Sequence, residues 1–152
     1  ISSTDGLLCA GANGYGQTAM NTSSGATLTF TSVSGGGSWN KVSMSQSSRG
    51  CAIRSDNRLF CWGDNRVGRT AQNTTTGNTL VPTEVSGGGN WKDISIGGQN
   101  LGCGLKSDDT LWCWGYSLTT PVAVPTRYHG TKVYSSLPQS LSLVTIDFSG
   151  HM

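Results

Sequence analysis

The chain has 152 residues, and only 12% of them are charged, 10 basic and 8 acidic for a formal charge of +2, against roughly 25% in an ordinary globular domain. Glycine (22), serine (21) and threonine (18) dominate and Glu84 is the only glutamate, which argues against a helical protein. The Lys and Arg are scattered in the sequence and form no basic run for nucleic acid or an anionic membrane, and no apolar stretch approaches the roughly 20 residues needed to cross a bilayer.

In chain order, Leu7-Leu8-Cys9-Ala10-Gly11 opens a phrase that returns as Leu59-Phe60-Cys61-Trp62-Gly63 and again as Leu111-Trp112-Cys113-Trp114-Gly115, at a spacing of 52 residues. Val33-Ser34-Gly35-Gly36-Gly37 returns as Val85-Ser86-Gly87-Gly88-Gly89, and Trp39 returns as Trp91, at the same spacing. The glycine triplets have no following helix and no lysine at P-loop spacing, so they read as turns before a strand. Trp91-Lys92-Asp93-Ile94-Ser95-Ile96 alternates apolar and polar residues, the pattern of a strand. Cys51-Ala52-Ile53-Arg54-Ser55-Asp56 returns as Cys103-Gly104-Leu105-Lys106-Ser107-Asp108. In the later copy Cys103–Lys106 and Leu111–Trp114 flank the turn formers Ser107-Asp108-Asp109-Thr110, which predicts a hairpin. Asp56, Asp108 and Asp109 are accordingly read as turn formers and not as catalytic groups. Polar tracts such as Thr70 to Asn78 read as surface loops.

The third copy departs from the pattern. Val124-Pro125-Thr126 follows Val81-Pro82-Thr83 by 43 residues instead of 52, so about nine residues have moved across that phrase and the loops of 116–142 must differ. Register returns at the tail, where Ile146, Phe148 and Gly150 stand 52 residues after Ile94, Ile96 and Gly98, although Leu143 replaces the tryptophan.

A hairpin pairing Ala52 with Phe60 and Ile53 with Leu59 also sets Cys51 opposite Cys61. Facing residues of an antiparallel pair lie close to disulfide distance, which predicts bridges Cys51–Cys61 and Cys103–Cys113, with buried free thiols as the alternative. Zinc is disfavoured, because two cysteines with nine residues between them would have only His129 and His151 to complete a site. Disulfides persist in oxidising compartments, so a secreted or cell-surface protein is expected. Cys9 is left without a hairpin partner.

A repeat period in the range of roughly 40 to 50 residues points to propellers or solenoids. Trp-x2-Val/Ile-Ser, then Cys-x-Ile/Leu-x-Ser-Asp-x2-Leu-x-Cys-Trp-Gly, then Asp64-Asn65-Arg66-Val67-Gly68, resembles the regulator of chromosome condensation repeat. It is particularly similar to the cysteine-containing form in secreted bacterial proteins, and Gly14-Tyr15-Gly16-Gln17 resembles the phrase that follows the family's Trp-Gly. The resemblance implies an all-β fold in which each repeat of about 52 residues supplies one four-stranded propeller blade. The whole of 1–152 is then a single repeat region, with units at approximately 1–52, 53–104 and 105–152. Three blades do not close a ring, so an incomplete propeller is expected, either a piece of a longer chain or part of an oligomeric assembly. Strands buried on both faces by neighbouring blades would account for the low charge.

No Gly-x-Ser-x-Gly elbow or His-Glu-x2-His helix is present, and no nucleophile, histidine and carboxylate fall at a catalytic spacing. A non-enzymatic extracellular module without cofactor or metal is expected, binding a protein partner or further copies of itself, or serving as a structural subunit of a surface assembly. The alternative is a carbohydrate-binding lectin. Trp62 and Trp114 read as buried between blades, and Trp112, placed on the opposite strand face from Trp114, is the candidate ligand contact. Guanine nucleotide exchange on a small GTPase, the activity for which the family is named, is opposed by the paired cysteines and the lack of a basic tail. Asn21-Thr22-Ser23 and Asn73-Thr74-Thr75 are N-glycosylation acceptor patterns at equivalent positions, which makes Asn21 and Asn73 candidate sugar sites.

Overall fold

The computed structural model describes residues 1–2, 4–97, 100–116 and 121–127. His129, His151 and the tail phrase at 146–150 lie outside the described residues. Ten strands and one 3-10 turn, Arg66–Gly68, make up the regular structure, with no α-helix among the described residues. The strands are β1 (Leu8–Ala12), β2 (Ala26–Ser32), β3 (Trp39–Ser45), β4 (Arg49–Arg54), β5 (Leu59–Asp64), β6 (Asn78–Glu84), β7 (Trp91–Ile96), β8 (Leu101–Lys106), β9 (Leu111–Tyr116) and β10 (Pro121–Arg127). β3-β4-β5-β6 and β7-β8-β9-β10 are antiparallel four-stranded meanders, the expected propeller blades, and β1 pairs with β2 as the last two strands of a preceding one.

The third unit keeps the fold despite its displaced text. β10 pairs with β9 through Thr126↔Cys113, as Thr83 pairs with Cys61. Val124-Pro125-Thr126 therefore occupies the outer-strand position of Val81-Pro82-Thr83, and the shortened connection absorbs the missing residues.

In the hairpin β4–β5 the register is Cys51↔Cys61, Ala52↔Phe60 and Ile53↔Leu59, repeated in β8–β9 as Cys103↔Cys113. Arg54 N–H donates to the Arg58 carbonyl across the turn, so alternation leaves the cysteine pair at a non-hydrogen-bonded position, the closer of the two kinds. Their Cα atoms stand 4.1 Å apart and both pairs are bonded. Cys9 is a buried free thiol whose pKa burial pushes up.

Two cores form between the sheets, and one is the other moved along by a repeat. Leu7, Cys9, Ala19, Val33, Trp39 and Trp62 fill the space between the β1–β2 sheet and the first full blade. Their equivalents Leu59, Cys61, Ala71, Val85, Trp91 and Trp114 fill the space between the two full blades. In each case the tryptophan of a Trp-Gly phrase reaches back to the preceding unit. Trp62 Nε1 donates to the Gln17 carbonyl at 2.9 Å and Trp114 Nε1 to the Arg69 carbonyl at 3.1 Å.

Glycine makes this approach possible on both sides of the indole. A Cβ on Gly50 or Gly102, in the neighbouring strand, would stand 2.7 or 2.8 Å from the ring of Trp62 or Trp114. Gly63 and Gly115, next in sequence, have φ of 98° and 102° and mark a bulge in the pairing with the outer strand, a backbone state open to glycine and costly for other residues.

Three expectations need correction. Trp112 and Trp114 share one face of β9, because alternate residues of a strand point the same way, and Trp112 packs half-buried against the core that holds Trp114. Burial on both faces holds for β4 and β5 but not for β2, where Leu28 is 90% and Phe30 80% exposed. The tract from Thr70 to Asn78 is not a surface loop at its start, since Thr70 and Ala71 are fully buried.

Reduction of the two bridges is expected to lower stability by about 2 to 3 kcal/mol each, the value for a closed loop of this length, measured by denaturant unfolding with and without reductant. Under native non-reducing conditions a thiol reagent should find no reactive cysteine, and on unfolding a single one, Cys9; two or more native thiols would contradict the pairing. Trp62→Phe should cost about 2 to 4 kcal/mol, because it leaves the half-buried Gln17 without the donor to its carbonyl as well as shrinking the core. Trp112→Phe, whose indole N–H serves only the nearby Thr110 hydroxyl, should cost less than about 1.5 kcal/mol. Equal losses in calorimetry would refute this account of blade coupling.

Candidate functional site

Antiparallel blades put the β3–β4 turn and the β5–β6 loop at the same end, and a cleft of about 400 Å³ opens there at the meeting of three units. Tyr15 comes from the β1–β2 loop, Ser47, Ser48, Asp64, Arg66 and Arg69 from the first full blade, and Asn100 from the β7–β8 turn.

The loops that build the cleft are folded by one buried asparagine each. Asn65 Oδ1 accepts the N–H of Thr70 at 2.9 Å while Nδ2 donates to the Thr74 hydroxyl at 2.7 Å and the Thr74 carbonyl at 3.3 Å. Asn13 makes the same three bonds to Thr18 and Thr22. An amide side chain carries both an acceptor and two donors, so a single Asn closes a loop that would otherwise leave backbone groups unpaired. The same loops hold the carbonyls of Gln17 and Arg69 where Trp62 and Trp114 find them.

Chemistry specific to the first full blade is laid over this shared frame. Where it has Asp64, Arg66 and Arg69, the preceding unit has Ala12, Gly14 and Gln17. Asp64 is fully buried. Arg66 grips it with Nε at 3.0 and 3.1 Å and Nη2 at 2.7 Å, and lies over the Tyr15 ring, 4.9 Å from its centroid. Arg69 also donates to Asp64, and its Nε meets Asn100 Oδ1 at 2.9 Å. Burial works to raise the Asp64 pKa, but the Arg66 hydrogen bonds and the charges of Arg69 and Arg66 outweigh it and hold the carboxyl below its ordinary value. Arg49 is wholly buried and donates to the Leu101 carbonyl at 3.0 Å. Its pKa is lowered to about 10, by burial first and then by the charge of Arg69, with Asp64 opposing. Two guanidinium groups therefore grip one carboxylate, and the buried Arg49 feels the charges of both Arg69 and Asp64.

The residues singled out in the sequence lie elsewhere. Both disulfides are in the blade hairpins. Asn21 and Asn73 are exposed in equivalent loops, both in the left-handed region at φ of 57° and 56°, and the Asn21 N–H donates to the Leu80 carbonyl of the next blade. Trp112 bonds the Thr110 hydroxyl at 2.7 Å, and Lys106 Nζ stands 4.1 Å from its ring centroid, so its polar edge and one ring face are already engaged. Asp56 and Asp108 accept hydrogen bonds from turn residues Arg58 and Thr110, as turn formers do. No cluster of metal-ligating side chains occurs among the described residues, and no helix there is long and apolar enough to cross a membrane. The arginine cluster was not legible in the sequence as a site, because Arg49 and Arg69 are 20 residues apart and meet only through the fold. Its one signal was a run of charge, Asp64 to Arg69, in a chain otherwise poor in charge.

Comparison with known proteins agrees with this architecture. Residues 40–69 match the regulator of chromosome condensation (RCC1) repeat. Among solved structures, human WBSCR16 is similar with a TM-score of 0.72 and 22% identity over 84% of this chain and 34% of its own. Prp20p from Saccharomyces cerevisiae, described together with its binding to Gsp1p and histones, is similar with a TM-score of 0.75 and 13% identity over 86% of this chain and 36% of its own. Yeast RCC1 (Prp20) bound to Kap60 is similar with a TM-score of 0.71 and 15% identity over 86% and 34%. The chain spans about a third of the length of each. No curated protein matches the sequence.

Asp64→Asn is expected to cost roughly 2 kcal/mol at neutral pH, less than for a fully enclosed pair because Arg66 is open to water. The folded carboxyl has a depressed pKa, so its contribution is complete above the unfolded value of about 3.9 and is lost as pH falls through the lower folded value. Melting curves of the two proteins should therefore converge below about pH 4; a constant gap down to acid pH would show that Asp64 acts through packing alone.

Proposed function

We propose that this chain, which is built of RCC1-type repeats, is a non-enzymatic protein-interaction module that works by seating blade on blade, either with further copies of itself or with a partner that offers an equivalent face. The observation that supports this reading is a surface that occurs three times. Phe60 and Trp62 turn toward the β1–β2 sheet, and Trp112 and Trp114 turn toward the β3–β6 sheet. Leu80 of the outer strand β6 packs against the preceding loop at Gly16, where a Cβ would stand 2.7 Å from Leu80 Cδ2. At the corresponding positions of the β1–β2 sheet are Leu8, Leu28 and Phe30, which no described residue covers to that degree. Two exposed large apolar side chains on an outer strand mark an association surface.

The paired cysteines support a further part of the reading, a secreted or cell-surface setting in which disulfides persist. Work as a structural subunit of a surface assembly and work as a binding domain use the same blade face, and differ in whether the partner is a second copy.

Sedimentation over a range of concentrations tests the proposal. The chain is expected to self-associate, and the double substitution Leu28→Asp with Phe30→Asp to shift it to monomer while leaving the melting temperature nearly unchanged, since both side chains are already in solvent. A monomer at every concentration, or association that survives the double substitution, would rule out this face.

A further inference from the structure

The ionised side chains that line the cleft are Arg66, Arg69 and Asp64, a surplus of one positive charge. The cleft already shows which group its arginines take, because Arg66 holds the Asp64 carboxylate through two nitrogens, the paired geometry that distinguishes Arg from Lys. Arg66 is also held against the Tyr15 ring, with its side chain 60% exposed, so it is positioned and yet open. Ser47 and Ser48 add hydroxyls to the rim.

We propose that the cleft between Tyr15, Ser48, Arg66, Arg69 and Asn100 binds an aspartate or glutamate side chain on an acidic segment of a protein partner. A volume of about 400 Å³ lies at the small end of the range for ligand sites and suits one side chain with its flanking backbone. A nucleic acid strand is a poorer fit, since it needs a row of phosphate contacts and the surplus charge here is a single cluster. The charged residues of the site come from one blade and have no counterparts in the preceding unit, so among the described residues this charged site is not repeated there. It rests on the module reading for the nature of the partner, but uses a different surface from the blade face.

The test is calorimetric titration of the full chain with a short polyglutamate peptide at low and high salt, with a thymidine oligonucleotide as competitor. The wild-type chain is expected to bind the peptide, with affinity falling as salt rises. Arg66→Gln, which removes an exposed charge, should weaken binding roughly tenfold. Ser48→Asp should weaken it at least as much by placing a carboxylate in the cleft. Ser48 has φ of 58°, a conformation Asp tolerates better than most residues, so this variant should fold and melt no lower than the wild type. Absence of peptide binding by the wild type overturns the proposal, as does undiminished binding by either variant. Displacement of the peptide by the oligonucleotide at matched charge overturns the peptide assignment in favour of a polyanion. Sedimentation of the same samples reports the module reading separately: association intact with no peptide bound refutes the cleft alone.

Discussion

The structure depends on a tryptophan that belongs to two blades at once. The Trp62 indole lies on Gly50 of its own sheet and gives its N–H to the Gln17 carbonyl of the preceding unit; Trp114 does the same with Gly102 and Arg69. A large apolar ring and one satisfied donor are thereby buried in a single step, where an unpaired donor would cost as much as the hydrogen bond contributes. Asn13 and Asn65 hold the acceptor in place by folding their loops from within. Each repeat contacts chiefly its neighbours, so stability accumulates blade by blade, as in other repeat proteins.

The same logic explains the disulfides and the glycines. Short strands with few branched aliphatic residues offer little to hold a hairpin together. A bond between Cys51 and Cys61 ties β4 to β5 at their closest approach, and its sulfurs become part of the core against the next blade. Gly63 and Gly115 supply the bulge that turns the chain from the tryptophan to the loop. The repeated phrase Cys-Trp-Gly is thus three physical requirements in succession: a tie within the blade, a plug between blades, and a bend that leads to the acceptor loop.

On this uniform frame the first full blade carries an addition that its neighbours lack. Asp64, Arg66 and Arg69 are not needed for blade stacking in the preceding unit, where Ala12, Gly14 and Gln17 hold the same places and the loop still forms. A cleft walled by three units, with a surplus of positive charge, is therefore a separate feature from the apolar blade face at β2. Leu80, the equivalent of Leu28, packs on the preceding loop at Gly16, while the charged rim is turned to the end of the blades.

Much of the architecture was legible in the chain itself. The 52-residue spacing of Cys9, Cys61 and Cys113 settles that the units are copies, and the hairpin register that pairs Cys51 with Cys61 follows from strand geometry and turn chemistry, both of them local. Strand faces are equally local, so the sharing of one face by Trp112 and Trp114 was available from a period of two. Three matters were decided only by tertiary structure. Which carbonyl receives the tryptophan, and why Thr70 is buried in a polar tract, depend on an asparagine-folded loop meeting the next blade. Exposure of Leu28 and Phe30 depends on which blades stand beside them, and no strand pattern carries that. The arginine cluster is the third: electrostatic potential is set by distance in space, and residues 49, 66, 69 and 100 come together only when two blades and a preceding loop are packed side by side.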